Sequence, residues 1–97
     1  MRNYELMFIL KPDTAEETIT ELKEKLKGVL ENFGGEFVED VAGWGKKRMA
    51  YSIDDYQEGI YVLWTFKGVS ETVSELDRVI KISDKVLRHI IVRTDVQ

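Results

Sequence analysis

The spacing of apolar residues changes in a fixed order along this chain, and that order constrains the fold more than any other feature. Tyr4 to Leu10 is bulky and apolar and stops at Lys11-Pro12-Asp13, as a strand does. Both of its alternating residue sets are apolar, which predicts a central strand. Ile19, Leu22, Leu26, Val29 and Phe33 then recur at intervals of three and four, one face of a helix. Thr14, followed three residues on by Glu17, predicts a capping box at its start, and Gly34-Gly35 predicts its end. Extended pieces follow at Glu36 to Asp40 and Met49 to Ile53, with Asp54-Asp55 and Glu58-Gly59 read as a loop. Ile60 to Phe66, rich in β-branched and aromatic residues, is the strongest strand, and Lys67-Gly68 closes it. Ser70 predicts the cap of a second helix built on Val73, Leu76, Val79 and Ile80, and Val86 to Val92 is the last strand.

Strand, helix, strand, strand, helix, strand means two right-handed β-α-β units interleaved in one sheet. This is the α+β, ferredoxin-like split β-α-β sandwich: a four-stranded antiparallel sheet of order 4-1-3-2 with both helices on one face. No linker or repeat interrupts it, and the 97 residues suit a single domain over 1–97. With helices on one face, the other should be largely polar. It is not. One parity carries Leu6, Phe8, Leu10, Val62, Trp64, Phe66, His89 and Ile91. The other carries Met7, Ile9, Tyr61, Leu63, Ile90 and Val92, diluted by Glu5, Thr65 and Arg88. Whichever set faces the helices, the other presents apolar side chains, which usually mark a partner face; the alternative is that strand twist and loop cover bury part of it within the monomer, or that single apolar residues stay exposed harmlessly.

Composition narrows the chemistry. Without cysteine there is no disulfide, thiolate nucleophile or cysteine-held zinc. The first residues run straight into a strand pattern with no signal peptide, and Leu6 to Leu10, the longest apolar run, falls far short of the roughly 20 residues that cross a bilayer. A soluble intracellular protein is expected. No catalytic group stands out. His89, the only histidine, lies within an apolar strand and reads as structural. Asp54, Asp55 and Glu58 lack the spacing of a calcium loop. Gly43-Trp44-Gly45-Lys46 is not a phosphate loop, because Lys47 stands where serine or threonine is needed. No catalytic residue, metal site, cofactor or small-molecule substrate is expected.

The net charge of −4 argues against one broad basic face for a polyanion. Read by segment, acid collects on the first helix, whereas Lys46, Lys47 and Arg48 form a triplet beside Trp44. Lys81, Lys85, Arg88 and Arg93 gather toward the last strand, and Arg2 opens the first. Such cations hold phosphates or merely solubilise a surface, and charge alone does not choose between the two. The RNA-recognition motif shares this topology, but its third strand needs a basic residue where Glu58 stands, and the stacking aromatics fall out of register.

Arg2, Tyr4-Glu5, Phe8 to Pro12, and above all Trp44-Gly45-Lys46-Lys47-Arg48-Met49-Ala50-Tyr51 resemble the bacterial small-subunit ribosomal protein six family. So do Glu58 to Val62 and Val86-Leu87-Arg88. The resemblance runs through the whole chain in order. Ser52 departs from it, standing where the family usually has proline, which would loosen that strand end. No longer charged tail precedes the end at Gln97, so no tail function is expected. The resemblance implies a non-catalytic, cytoplasmic, ribosome-associated component of the 30S particle. It implies binding to the central domain of small-subunit ribosomal RNA as a heterodimer with small-subunit protein eighteen, a basic protein, with no membrane partner. It places Arg2, Tyr4, Lys81 and Arg88 toward RNA, and the Lys46, Lys47, Arg48 triplet toward RNA or the partner; Lys85 and Arg93 join the RNA set through their charge. Two other readings of the same topology are an amino-acid-binding regulatory module and an acylphosphatase-like enzyme. The first needs a glycine-bearing loop after the first strand and the second a phosphate-cradling loop with arginine; Lys11-Pro12-Asp13 offers neither.

Overall fold

A computed structural model describes residues 1–41 and 44–95; Gly43 and Gln97, both used above, lie outside the described residues. The elements run β1 (Arg2–Leu10), α1 (Glu16–Asn32), β2 (Glu36–Asp40), β3 (Lys46–Ile53), β4 (Tyr56–Gly68), α2 (Ser70–Lys81) and β5 (Val86–Arg93). The sheet is antiparallel throughout, in the order β2, β4, β1, β5, with β3 also on β4. This is the expected order with one refinement. The second of the four expected strands is two pieces, β2 and β3, which share one edge of the long β4, so the sheet has five strands.

Both helices pack on one face. Leu6, Phe8 and Leu10 of β1 and Val62, Trp64 and Phe66 of β4 meet Leu26 and Leu30 of α1 and Leu76, Val79 and Ile80 of α2. Trp64 anchors this layer, edge-on to Phe8 and Phe37, while the Lys27 ammonium lies 4.6 Å over the Phe37 ring. Leu30, outside the expected stripe, is fully buried, because the helical period brings it under Leu26 one turn on.

Several local expectations are corrected. Thr14 does not cap α1: its hydroxyl donates to the Lys11 carbonyl at 2.7 Å and closes the turn after β1, so Ala15 takes the N-cap position. Glu16 and Glu17 still place negative charge in the first turn, where the helix dipole favours it. Ser70 is the first helical residue rather than the cap. The Val69 N–H at that boundary donates to Thr72 Oγ1, and the same hydroxyl donates to the Phe33 carbonyl at the end of α1. Thr72, fully buried, therefore ties the two helix ends together. Gly34 takes φ 79°, the left-handed conformation that ends a helix. Glu58-Gly59 is not loop but strand. Asp54 and Asp55, at φ 50° and 68°, make a two-residue turn that pairs Ile53 with Tyr56 and lets β4 start at once. Gly59 leaves room for close approach, since a Cβ there would strike Ile9 Cγ2.

Candidate protein and nucleic-acid interface

The face of the sheet turned away from the helices is a grid fixed by strand register. Met7 sits between Leu63 and Ile90, Ile9 between Tyr61 and Arg88, and Glu5 between Thr65 and Val92. Every residue of the expected partner face, Met7, Ile9, Tyr61, Leu63, Ile90 and Val92, lies on it. Ile90 is 50% and Val92 42% exposed. Ile9 is different: it is buried, 4% exposed, beneath the β3–β4 hairpin. The ladder explains why. After Arg48 pairs with Glu58 the next pair is Ile53 with Tyr56, so Met49 to Ser52 bulge opposite Gln57 alone. The bulge includes Ser52, where the sequence suggested a looser strand end. It bends β3 over the open face, burying Met49. The Tyr51 hydroxyl comes within 3.4 Å of the Arg88 guanidinium, which donates to it across the width of β4 and β1. Beneath lies an apolar hollow of about 260 Å³ lined by Met7, Ile9, Met49, Tyr51, Tyr61 and Arg88, among others.

Strand alternation splits the basic triplet. Lys47 is on the open-face side, its ammonium 4.4 Å over the Trp44 ring, which in turn lies against Tyr61 at 6.1 Å. Lys46 and Arg48 take the other side of β3, exposed. The other expected cations divide between the two ends of β5. Lys81 and Lys85 belong to the end where β5 begins, with Arg88 just inside it on the open face. Arg93 and Arg2 belong to the opposite end, where Arg93 pairs with Tyr4 in register. Arg88 and Arg93 are five positions apart, about 17 Å of extended strand, so the first-strand arginine shares an end with Arg93 and not with Arg88. Tyr4 is half-buried on the helix side, its ring stacked on Phe66 at 5.3 Å.

Two of these cations have carboxylate partners among the described residues. Lys81 Nζ is 2.8 Å from Asp77 Oδ2, and Arg93 Nε donates to Asp95 Oδ1 at 2.9 Å. Both carboxyl groups are held below the usual aspartate range. Lys81 acts first on Asp77 and His89 second, and Arg93 acts first on Asp95, followed by the Asn3 backbone N–H. His89 Nε2 lies 2.7 Å from Asp77 Oδ1 on the helix side, which gives this histidine a structural partner. Trp44 and Tyr51, which frame the open face, were absent from the expected site. Two aromatic residues flanking the basic triplet are the sequence signal that marks them, and both rings are exposed.

Comparison with known proteins decides the family. The family model described as "Ribosomal protein S6" matches residues 3–93. The chain belongs to the ribosomal protein S6 family. Among its relatives, the "Small ribosomal subunit protein bS6" of Syntrophomonas wolfei is 62% identical over 95 residues, covering 98% of both chains. That of Desulforamulus reducens is 52% identical over 93 residues, covering 96% of this chain and 97% of the relative. The crystal structure of 30S ribosomal protein S6 from Thermotoga maritima superposes with a TM-score of 0.87 at 28% identity, covering 96% of this chain and 87% of that one. As a member of this family the chain is a structural, non-enzymatic protein of the small ribosomal subunit, associated with ribosomes in the bacterial cytoplasm. No described helix is long and apolar enough to cross a membrane.

Proposed function

We propose that this chain, with residues 1–97 acting as one domain, binds the central domain of small-subunit ribosomal RNA in company with small-subunit protein eighteen. The observation that carries the reading is the open sheet face. A protein of net charge −4 leaves Ile90 and Val92 exposed and Met7 and Leu63 partly exposed beside them, with Arg88 and Lys47 at the rim. Uncovered apolar area of this kind suits a protein partner, and a basic partner complements an acidic chain. Met7, Ile9, Tyr61, Leu63, Ile90 and Val92 form the proposed partner face, Ile9 as part of its floor.

Arg2, Lys46, Arg48, Lys85 and Arg88 make no ion pair among the described residues and are the proposed phosphate ligands. Lys47 joins them from the side of Trp44. Lys81 and Arg93 reach phosphate by exchanging Asp77 and Asp95 for it; ion pairs this exposed are weak, so the exchange is cheap. Tyr4 contributes its hydroxyl, because one face of its ring already covers Phe66. Recognition is then by backbone and shape, with little base reading, and the partner supplies the cations that this chain lacks.

The test is a titration of a central-domain RNA fragment with this chain alone and with small-subunit protein eighteen. Expected is a large gain in RNA affinity when both are present. Equal affinity with and without the partner would overturn the reading.

A further inference from the structure

The open face changes sign along its strands. Where β1 begins, Glu5 stands on the central strand between Thr65 and Val92, Glu39 extends the same row beyond Thr65, and Glu36 lies one row further, opposite Lys67. Among the strand residues on the open face, that end holds three carboxylates against the Lys67 ammonium, whereas Arg2 and Arg93 of the same end take the helix side of the sheet. The other end of the face holds Arg88 and Lys47, with the turn residues Asp54 and Asp55 at the tip of the β3–β4 hairpin. Between the two ends runs the apolar row of Leu63, Met7 and Ile90.

Glu5 is the most telling of these groups. It is half-buried on a central strand, with an aliphatic side chain on each open-face neighbour but Thr65 in its own and the adjoining apolar row, and it makes no ion pair among the described residues. A carboxylate partly removed from water without a counter-charge is costly, and an arriving cation relieves that cost. Phosphates would be repelled from the same place.

We propose that the acidic end of the open face, centred on Glu5 and Glu39, seats lysine or arginine side chains of a basic protein whose apolar side chains lie on Leu63, Met7 and Ile90. This end of the face therefore belongs to protein and not to RNA. The proposal deepens the function above and rests on its reading that a basic protein covers this face. It adds a direction: adjacent rows are about 6.7 Å apart along the strands, so the bound segment presents a cation one row from an apolar side chain. The Arg88 end stays free of the segment's positive charge.

The experiment uses the full chain with small-subunit protein eighteen as probe, by calorimetry at low and at high salt. The double variant Glu5→Gln with Glu39→Gln removes two charges from the face without changing side-chain shape. Glu21→Gln with Glu24→Gln removes the same charge from the exposed side of α1. The face variant is expected to bind the probe about tenfold more weakly and with flatter salt dependence, while the α1 variant stays within about twofold of wild type. Glu39→Gln alone, at an exposed edge position, gives a smaller loss of about threefold and covers the case in which Glu5→Gln perturbs folding. Equal weakening by both double variants, or none by either, overturns the proposal. Tighter binding of the RNA fragment by the face variant alone would make RNA the occupant and overturn it too. A wild-type chain that does not bind the probe at all removes the reading on which it rests.

Discussion

Replacing Ile90 with glutamate separates folding from association. Ile90 is 50% exposed in the chain alone. Burying a whole isoleucine side chain is worth about 1.5–3 kcal/mol, so the half still in water offers a partner about 0.8–1.5 kcal/mol. Ile90→Glu removes that gain and adds a carboxylate whose desolvation costs several kcal/mol when unpaired. Arg88, two residues away on the same face, offsets part of it. A net loss of roughly 2–4 kcal/mol corresponds to an association about 30- to 1000-fold weaker. The fold should survive, because strand preference at an exposed position spans only ~1 kcal/mol against a typical stability of about 5–15 kcal/mol. Calorimetry with small-subunit protein eighteen, alongside circular dichroism of the free variant, checks both halves. A folded variant that binds the partner as wild type does would refute the assignment of this face.

Arg88→Ala and Lys47→Ala should each weaken binding of the RNA by the protein pair, and each should reduce the slope of log affinity against log salt by about 1; filter binding across a salt series reads this. Thr72→Val keeps shape but leaves the Val69 N–H and Phe33 carbonyl without their shared partner, so stability should fall by about 1–3 kcal/mol, seen as a lower Tm. Asp77 is held below its ordinary range by Lys81 and then His89. A depressed carboxylate contributes stability above its unfolded pKa of about 3.9 and loses it as pH falls through the lower folded value. The Tm deficit of Asp77→Asn should therefore be present at neutral pH and close as pH falls below about 4.

Much of this architecture is legible in the sequence because period is a local property. The alternation in β1 and β4 and the three-four spacing in both helices gave the element order, and chain-handedness rules then left one arrangement of the sheet. Helix starts were less legible. Thr14 has the right side chain for a cap, but Pro12 and the turn after β1 put its hydroxyl on Lys11 instead. The role of Thr72 depends on Phe33, thirty-nine residues away, and no local pattern signals it. The face of the sheet on which each candidate residue lies was legible, but not the end. Register places Arg88 and Arg93 at separate ends of β5, and the Met49 to Ser52 bulge, which carries Tyr51 across to Arg88, depends on how β3 meets Gln57. Residue types announce a cation or an aromatic; only the ladder says which of them share a surface.

The central claim is that the open sheet face is the seat of the protein partner. Backbone amide signals of the isotope-labelled chain, followed while unlabelled small-subunit protein eighteen is added, test it directly. The account predicts that the signals of Glu5, Met7, Leu63, Ile90 and Val92 shift while those on the outward surfaces of α1 and α2 stay in place. Shifts confined to the helices, with the open face unmoved, would contradict it.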